Sequence, residues 1–272
     1  AKTPIGLIEP LTQSKRDSTF GLTSEFPSIA TLMSASGYET ALIGKWHLGF
    51  LPQHSPIKNG FDYFFGIHSA AADYISHKSG LPGNRAHDLF ENDTPVYPEG
   101  YLTNLFSQKA VAYIRQKHNK PFFLTITYNA LHWPWQGPND KPYADSVDFR
   151  TGGSPAIYAA MMKRLDDGIG VIMKTLDEEQ LSSHTIVIFT NDNGGERYSN
   201  NGGLAKAKGS LWEGGIRVPA FVRWPDRINA GGVTQQVAIT MDWTKTILSA
   251  AGAKTDKNFP LDGIDLMSIL TG

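Results

Sequence analysis

The sequence predicts an α/β fold, a mainly parallel sheet sandwiched by helices. Three observations predict it. Helix-spaced and strand-like segments alternate along the chain, the order expected of strands joined by crossover helices. The runs PFFLTITY (121–128) and TIVIFT (185–190) are almost continuously apolar, as in strands buried on both faces. And each such strand leads into a loop rich in polar and glycine residues, where open parallel sheets place their ligands.

Taken in order, residues 27–36 read as a helix. Pro27 suits the first helical position, Ile29, Leu32 and Met33 share a face, and Gly37 is placed to end it. Residues 38–43 form a short strand delivering Lys45 and His47. Residues 60–98, rich in Gly, Pro, Asn, Asp and His, read as a long ordered surface excursion lining a pocket. Helical spacing returns over 102–117, followed by the strand 121–128 and the loop HWPWQGPNDKPY. Pro155 opens a helix with Met161, Leu165, Ile169, Ile172 and Leu176 inward. TIVIFT reads as the clearest buried strand. A glycine-rich loop (193–215), a strand in VPAFVRW (218–224) and a last helix capped by Asp242 and ending near Gly252 complete the chain. No repeat or linker divides the 272 residues, so one domain is expected.

Composition narrows the function. With 25 basic and 26 acidic residues the net charge is −1, so no field of one sign recruits nucleic acid or an acidic membrane. Any anion recognition must be local. The absence of cysteine excludes disulfides, zinc–thiolate sites and thiol nucleophiles. No run approaches the roughly 20 apolar residues of a membrane span. The N-terminal AKTPIGLIEP has no signal-peptide pattern.

The polar residues that follow the strands are few. Lys45 and His47 follow the first, His132 the second, and Asp192 and Asn193 the third, with Lys206 and Lys208 in the glycine-rich loop beyond. If strand geometry persists, Lys45 and His47 point to one face, and two cations there call for an anion between them. Asp192 and Asn193 offer hard oxygens suited to Ca²⁺ or Mg²⁺, though two oxygens fall short of the six to eight that Ca²⁺ takes. Glycines in NGGLAKAKGSLWEGG let backbone N–H groups approach an anion, without the order of a nucleotide P-loop. Each has a plain structural reading as well: a core histidine, a solvated lysine, an Asx turn in NDNGG, a mobile loop, an aromatic-packed histidine. Together they fit one task, clamping a tetrahedral oxyanion ester and neutralising the charge that moves during transfer. A histidine near the bridging oxygen would serve the leaving alcohol. No nucleophile arrangement accompanies them.

GYETALIGKWHLG, NALHWPW, IVIFTNDNGG and KGSLWEGGIRVP, in this order and spacing, resemble the signature segments of type I sulfatases of the alkaline-phosphatase superfamily. GFDYFFG and DLFEND resemble that family's connecting segments. The resemblance implies an alkaline-phosphatase-like fold and hydrolysis of a sulfate ester, on a Ca²⁺ ion beside a formylglycine made from Cys or Ser in a C/S-x-P-S-R motif. By the same resemblance Lys45 and Lys208 bind sulfate, His47 stands beside the formylglycine hydroxyls, His132 stands near the leaving-group oxygen, and Asp192 and Asn193 are calcium ligands. Lys206 matches no family role. A small-molecule or carbohydrate sulfate is the implied partner, in the periplasm or outside the cell.

One departure bears on activity. The family's first strand carries an Asp-Asp pair of calcium ligands, followed by the nucleophile motif. Neither is found upstream of Tyr38, and Lys2-Thr3-Pro4 is no substitute. The expectation is therefore a partial catalytic domain, lacking its first strand and a C-terminal antiparallel subdomain, with little turnover by itself. A phosphodiesterase or phosphonate hydrolase using the same clamp, and a non-catalytic binder of sulfated glycans, are the competing readings.

Overall fold

The computed structural model describes residues 21–272 of the chain, so AKTPIGLIEP and Lys2-Thr3-Pro4 lie outside the described residues. The elements follow in chain order as α1 (Ile29–Ala35), β1 (Glu39–Lys45), β2 (Tyr63–Ile67), β3 (Lys78–Leu81), β4 (Asn84–His87), β5 (Phe90–Glu91) and β6 (Thr94–Pro95). Then come α2 (Leu102–Ile114), β7 (Phe122–Thr127), α3 (Pro155–Glu178), β8 (Val187–Thr190), α4 (Glu213–Ile216), β9 (Ala220–Arg223), α5 (Thr240–Ala250) and α6 (Met267–Thr271).

The main sheet has the order β6-β5-β2-β1-β7. β1 is its centre, running parallel to β2 and to β7, with Ile43 opposite Phe65 on one side and Ile126 on the other. β5 and β6 extend the β2 edge antiparallel. Residues alternate across β1, and both faces are apolar. Ala41 and Ile43 face one way and pack with Phe65 and Ile67 against α2 (Leu102, Phe106) and α3 (Met161, Ile172). Leu42 faces the other way with Phe64, Trp46 and Phe61, against Ala30 of α1. Behind them Leu32 and Met33 of α1 meet Leu248 of α5. The helices thus cover both faces, as the sequence requires.

Helix starts fall close to the expected residues. Ser28 Oγ accepts the Thr31 N–H at 3.0 Å, so the cap is Ser28 and Pro27 stands just outside α1. Ser154 caps α3 and Pro155 takes its first position. Asp242 acts from inside the first turn of α5, accepting the Ile239 N–H at 2.8 Å and tying in Ile264 at 2.9 Å.

Two expectations are corrected. Residues 60–98 are not a surface excursion. They contain β2, whose Phe64, Phe65 and Ile67 are fully buried, and a hairpin, β3–β4. The glycines and aspartates that flank the run YFFGI masked a five-residue strand buried on both faces. TIVIFT is a strand, but β8 is half-buried and pairs antiparallel with β9 instead of joining the parallel sheet. β7 is half-buried along its whole length too. The cause is shared: among the described residues β7 pairs only with β1, and β8 only with β9. Each keeps one edge without a ladder partner, and an apolar strand is covered only when both neighbours are present.

Gly44, the penultimate residue of β1, has φ +125°, and a Cβ there would overlap the Thr127 carbonyl of β7. Gly44→Ala is expected to destabilise the chain by about 2 kcal/mol or more, combining left-handed strain with separation of β1 from β7. Urea unfolding followed by circular dichroism checks this.

Candidate active site

The site is assembled at the carboxyl ends of β1, β7 and β8. Lys45 is the last residue of β1, and its carbonyl accepts the Thr127 hydroxyl at 2.7 Å, fixing the β1 end against β7. Beyond it the chain stays tied to β2: Trp46 N–H donates to the Ile67 carbonyl at 2.8 Å and His47 N–H to the His68 carbonyl at 3.1 Å. Trp46 is buried against Phe61, and its indole N–H holds the His54 carbonyl at 2.8 Å. His47 adopts φ 54°, so strand alternation does not carry past Lys45. The expected shared face is replaced by a turn that swings His47 round while Trp46 anchors it.

His132 sits in a turn three residues beyond Asn129, past the end of β7. Its N–H donates to the Asn129 carbonyl at 2.8 Å, and the buried Tyr74 hydroxyl bonds the carbonyls of both Asn129 and His132. The ring Nδ1 lies 2.8 Å from the Trp133 carbonyl. A carbonyl only accepts, so Nδ1 carries the proton and Nε2 of the neutral ring is the free acceptor.

Asp192 and Asn193 follow β8. Gly194 N–H bonds the Gly215 carbonyl at 2.9 Å and Gly214 N–H the Ala205 carbonyl at 2.8 Å, folding the glycine-rich loop back on itself. A side chain at Gly194 would overlap the Gly214 carbonyl, which is why the crossing needs glycine. Lys208 is placed by its own N–H, 3.0 Å from the Gly195 carbonyl, and its Nζ stands 4.0 Å from Glu196.

Electrostatics shows which of these groups share one space. Burial lowers Lys45 to about 8; Asp192 opposes the shift and Lys208 adds to it. Burial also pushes His132 down to about 3, helped by the positive charges of Lys208 and Lys45 and, last, by His47. Lys45, His47, His132, Asp192 and Lys208 are therefore brought together, with Asn193 next to Asp192. Lys206, at φ 65°, is exposed, and its carbonyl receives the Asn201 amide at 3.3 Å. It takes no part in this group, in keeping with its lack of a family role.

The fit to a metal is incomplete. Among the described residues no cluster of three or more His, Asp or Glu side chains is placed to hold an ion. Asp192 and Asn193 supply the hard oxygen chemistry of a calcium site but not its number. Asn129 was not singled out in the sequence although it lies within NALHWPW. It is buried, and neither polar atom of its carboxamide has a hydrogen-bond partner. Glu196 was missed as well, since one exposed carboxylate in a loop carries no pattern.

The sequence profile of the Sulfatase family matches residues 8–253. The chain belongs to the sulfatase family. It is 36% identical over 246 residues to Arylsulfatase J of Mus musculus, covering 86% of this chain and 40% of that protein. It is 34% identical over 253 residues to N-acetylgalactosamine-6-sulfatase of Mus musculus, covering 87% and 47%. This sulfatase chain thus spans about half the length of the curated relatives it matches. Among solved structures, Ps i-CgsB in complex with k-i-k-neocarrahexaose superposes with TM-score 0.83 at 29% identity, over 97% of this chain and 61% of the other. The alkaline-phosphatase-like fold is therefore shared. Among the described residues no helix is long and apolar enough to cross a membrane.

The His132 shift has a definite sign. The unfolded ring takes a proton near pH 6.5 and the folded ring only near 3. Stability is therefore lost as pH falls below 6.5, with a ceiling of about 1.4 kcal/mol per pH unit that the part-exposed ring does not reach. His132→Asn should flatten the stability–pH slope between pH 7 and 5, and the wild-type ring resonances should not titrate above pH 5 in NMR.

Proposed function

We propose that the protein carrying this domain hydrolyses a sulfate ester, with a carbohydrate sulfate as substrate class. The observation that carries the reading is the convergence of Lys45, Lys208 and His132 at the strand ends, where positive groups face one another and an oxyanion would relieve their repulsion. The two lysines would hold the non-bridging oxygens of the ester. His132 would serve the leaving alkoxide as its proton donor, yet in the free site its ring is neutral. The lysines are part of what lowers it, so an anion seated between them weakens that repulsion and raises the ring's affinity for a proton. Substrate binding would thereby prepare the acid that departure of the alcohol requires.

The nucleophile is assigned to residues outside these 272. The chain has no cysteine and no C/S-x-P-S-R motif. The edges of β7 and β8 that have no ladder partner among the described residues, and the partnerless amide of Asn129, support the reading that a further strand lies between them in the whole protein. An amide with both donor and acceptor free complements a peptide group, which offers both, better than a sulfate, which only accepts. That strand would also bring the oxygens that Asp192 and Asn193 need for a calcium ion. The substrate class is supported by the relatives, one named N-acetylgalactosamine-6-sulfatase and one solved in complex with k-i-k-neocarrahexaose. A place outside the cytoplasm rests on the family resemblance alone.

The test is hydrolysis of 4-nitrophenyl sulfate and of the matched phosphate ester by the full-length protein and by the 272-residue chain. The full-length protein should prefer sulfate, the chain should be inactive, and Lys45→Ala should lower kcat/KM by about 10²-fold or more. Turnover by the chain, or preference for phosphate, overturns the assignment. Binding of sulfated sugars without turnover by the full-length protein identifies a non-catalytic binder.

A further inference from the structure

Lys208 enters the site already provided with a counter-charge. Its Nζ stands 4.0 Å from Glu196 Oε2, too far for a direct hydrogen bond but close enough for attraction. The pairing is built by the backbone. Lys208 N–H bonds the Gly195 carbonyl at 3.0 Å, which sets residue 208 beside residue 196. The Glu196 carbonyl in turn closes a tight turn by accepting the Ser199 N–H at 2.9 Å and the Ser199 hydroxyl at 2.7 Å. Asn201 Oδ1 holds the Gly195 N–H at 3.0 Å. The carboxylate is thus carried to Lys208 by a fixed loop.

The charges around this lysine are Lys45 on the positive side and Glu196 on the negative, beside the neutral ring of His132. Asp192 acts on Lys45. We infer that Glu196 is a positioning residue, a tethered counter-ion that holds Lys208 in place in the empty site and competes with the incoming sulfate group for it. The inference rests on the proposed role of Lys208 in holding the anion. Its consequence is a moderated affinity: the charge that steadies the lysine before binding also favours release of the inorganic sulfate product. The carboxylate is itself partly exposed, so its influence is bounded by that of a solvent-screened pair.

The test is isothermal titration of the full-length protein with inorganic sulfate at low ionic strength. Glu196→Gln should bind sulfate about two- to fivefold more tightly than wild type, the range of a screened ion pair. Glu196→Asp, which keeps the charge, should remain near wild type, and the difference should shrink in high salt. Lys208→Met should weaken binding in either background. In turnover assays Glu196→Gln should lower KM and the sulfate inhibition constant together, with unchanged thermal unfolding. Unchanged or weaker sulfate binding by Glu196→Gln, in a protein whose binding depends on Lys208, overturns the role of Glu196 alone. Equal effects of Gln and Asp overturn it too, by showing that charge is not the cause. Sulfate binding that is undetectable in wild type and in Glu196→Gln, or that ignores Lys208→Met, overturns the anion clamp and the role of Glu196 with it.

Discussion

Like charges held together are the constraint around which the site is built. Lys45 and Lys208 act on each other's charge, and even at about 4 Å two ammonium groups would repel by no more than roughly 1 to 4 kcal/mol, depending on how much water screens them. A flexible loop would respond by separating them. Here Lys45 cannot retreat, because it ends a strand bonded on both sides and locked to β7 through the Thr127 hydroxyl. The strand is in turn fixed by the burial of Ile43, Phe65, Phe106 and Leu102, each contributing about 1.5 to 3 kcal/mol. A few core side chains therefore outweigh the repulsion. The energy of packing thus keeps positive charges together at the strand ends.

The same core explains why the molecule divides unequally. The β2-β1 layer is covered on both faces, whereas β8 and β9 form a separate antiparallel pair with Phe221 and the neighbouring Leu211, Trp212 and Ile216 exposed. An antiparallel pair satisfies its inner backbone groups but leaves its outer ones, and its apolar faces, to whatever lies beside it. β7 is in the same position on the other side.

Much of this was legible in the sequence for a physical reason. Two strands that carry the site, β7 and β8, are marked by long apolar runs, and polar residues after such runs stand out. His132 and Asp192 are legible that way, Lys45 by closing a short strand that follows a helix, and the glycines around Lys208 by their density. Other features are hidden. β2 is obscured because its five residues are bracketed by turn formers on both sides. The antiparallel pairing of β8 was not readable, since an apolar strand looks alike whichever neighbour it takes. His47 was placed by alternation, but a positive φ at a histidine leaves no trace in composition. Asn129 and Glu196 matter through a missing partner and a loop geometry, and neither is a pattern in a string of residues.

The two halves of the site must nevertheless keep register, and a latch between their loops provides it. Tyr198, in the loop after Asn193, packs its ring edge-on against the buried Trp135 at 4.9 Å and donates its hydroxyl to the Gly152 carbonyl at 2.9 Å. Arg197 lies over the same indole at 5.0 Å and reaches the Arg150 carbonyl at 3.3 Å. Trp135 follows His132 by three residues, and Arg197 follows Glu196. The loop that presents the histidine is therefore bolted to the loop that presents Asp192 and Lys208, without any hydrogen bond between β7 and β8 themselves. Aromatic and cation–π contacts of this kind are worth about 0.5 to 2 kcal/mol each, too little to hold a fold but enough to set the relative position of two loops. The relative placing of His132 and Lys208, on which the ring's proton affinity depends, is thus governed in part by Trp135, Tyr198 and Arg197.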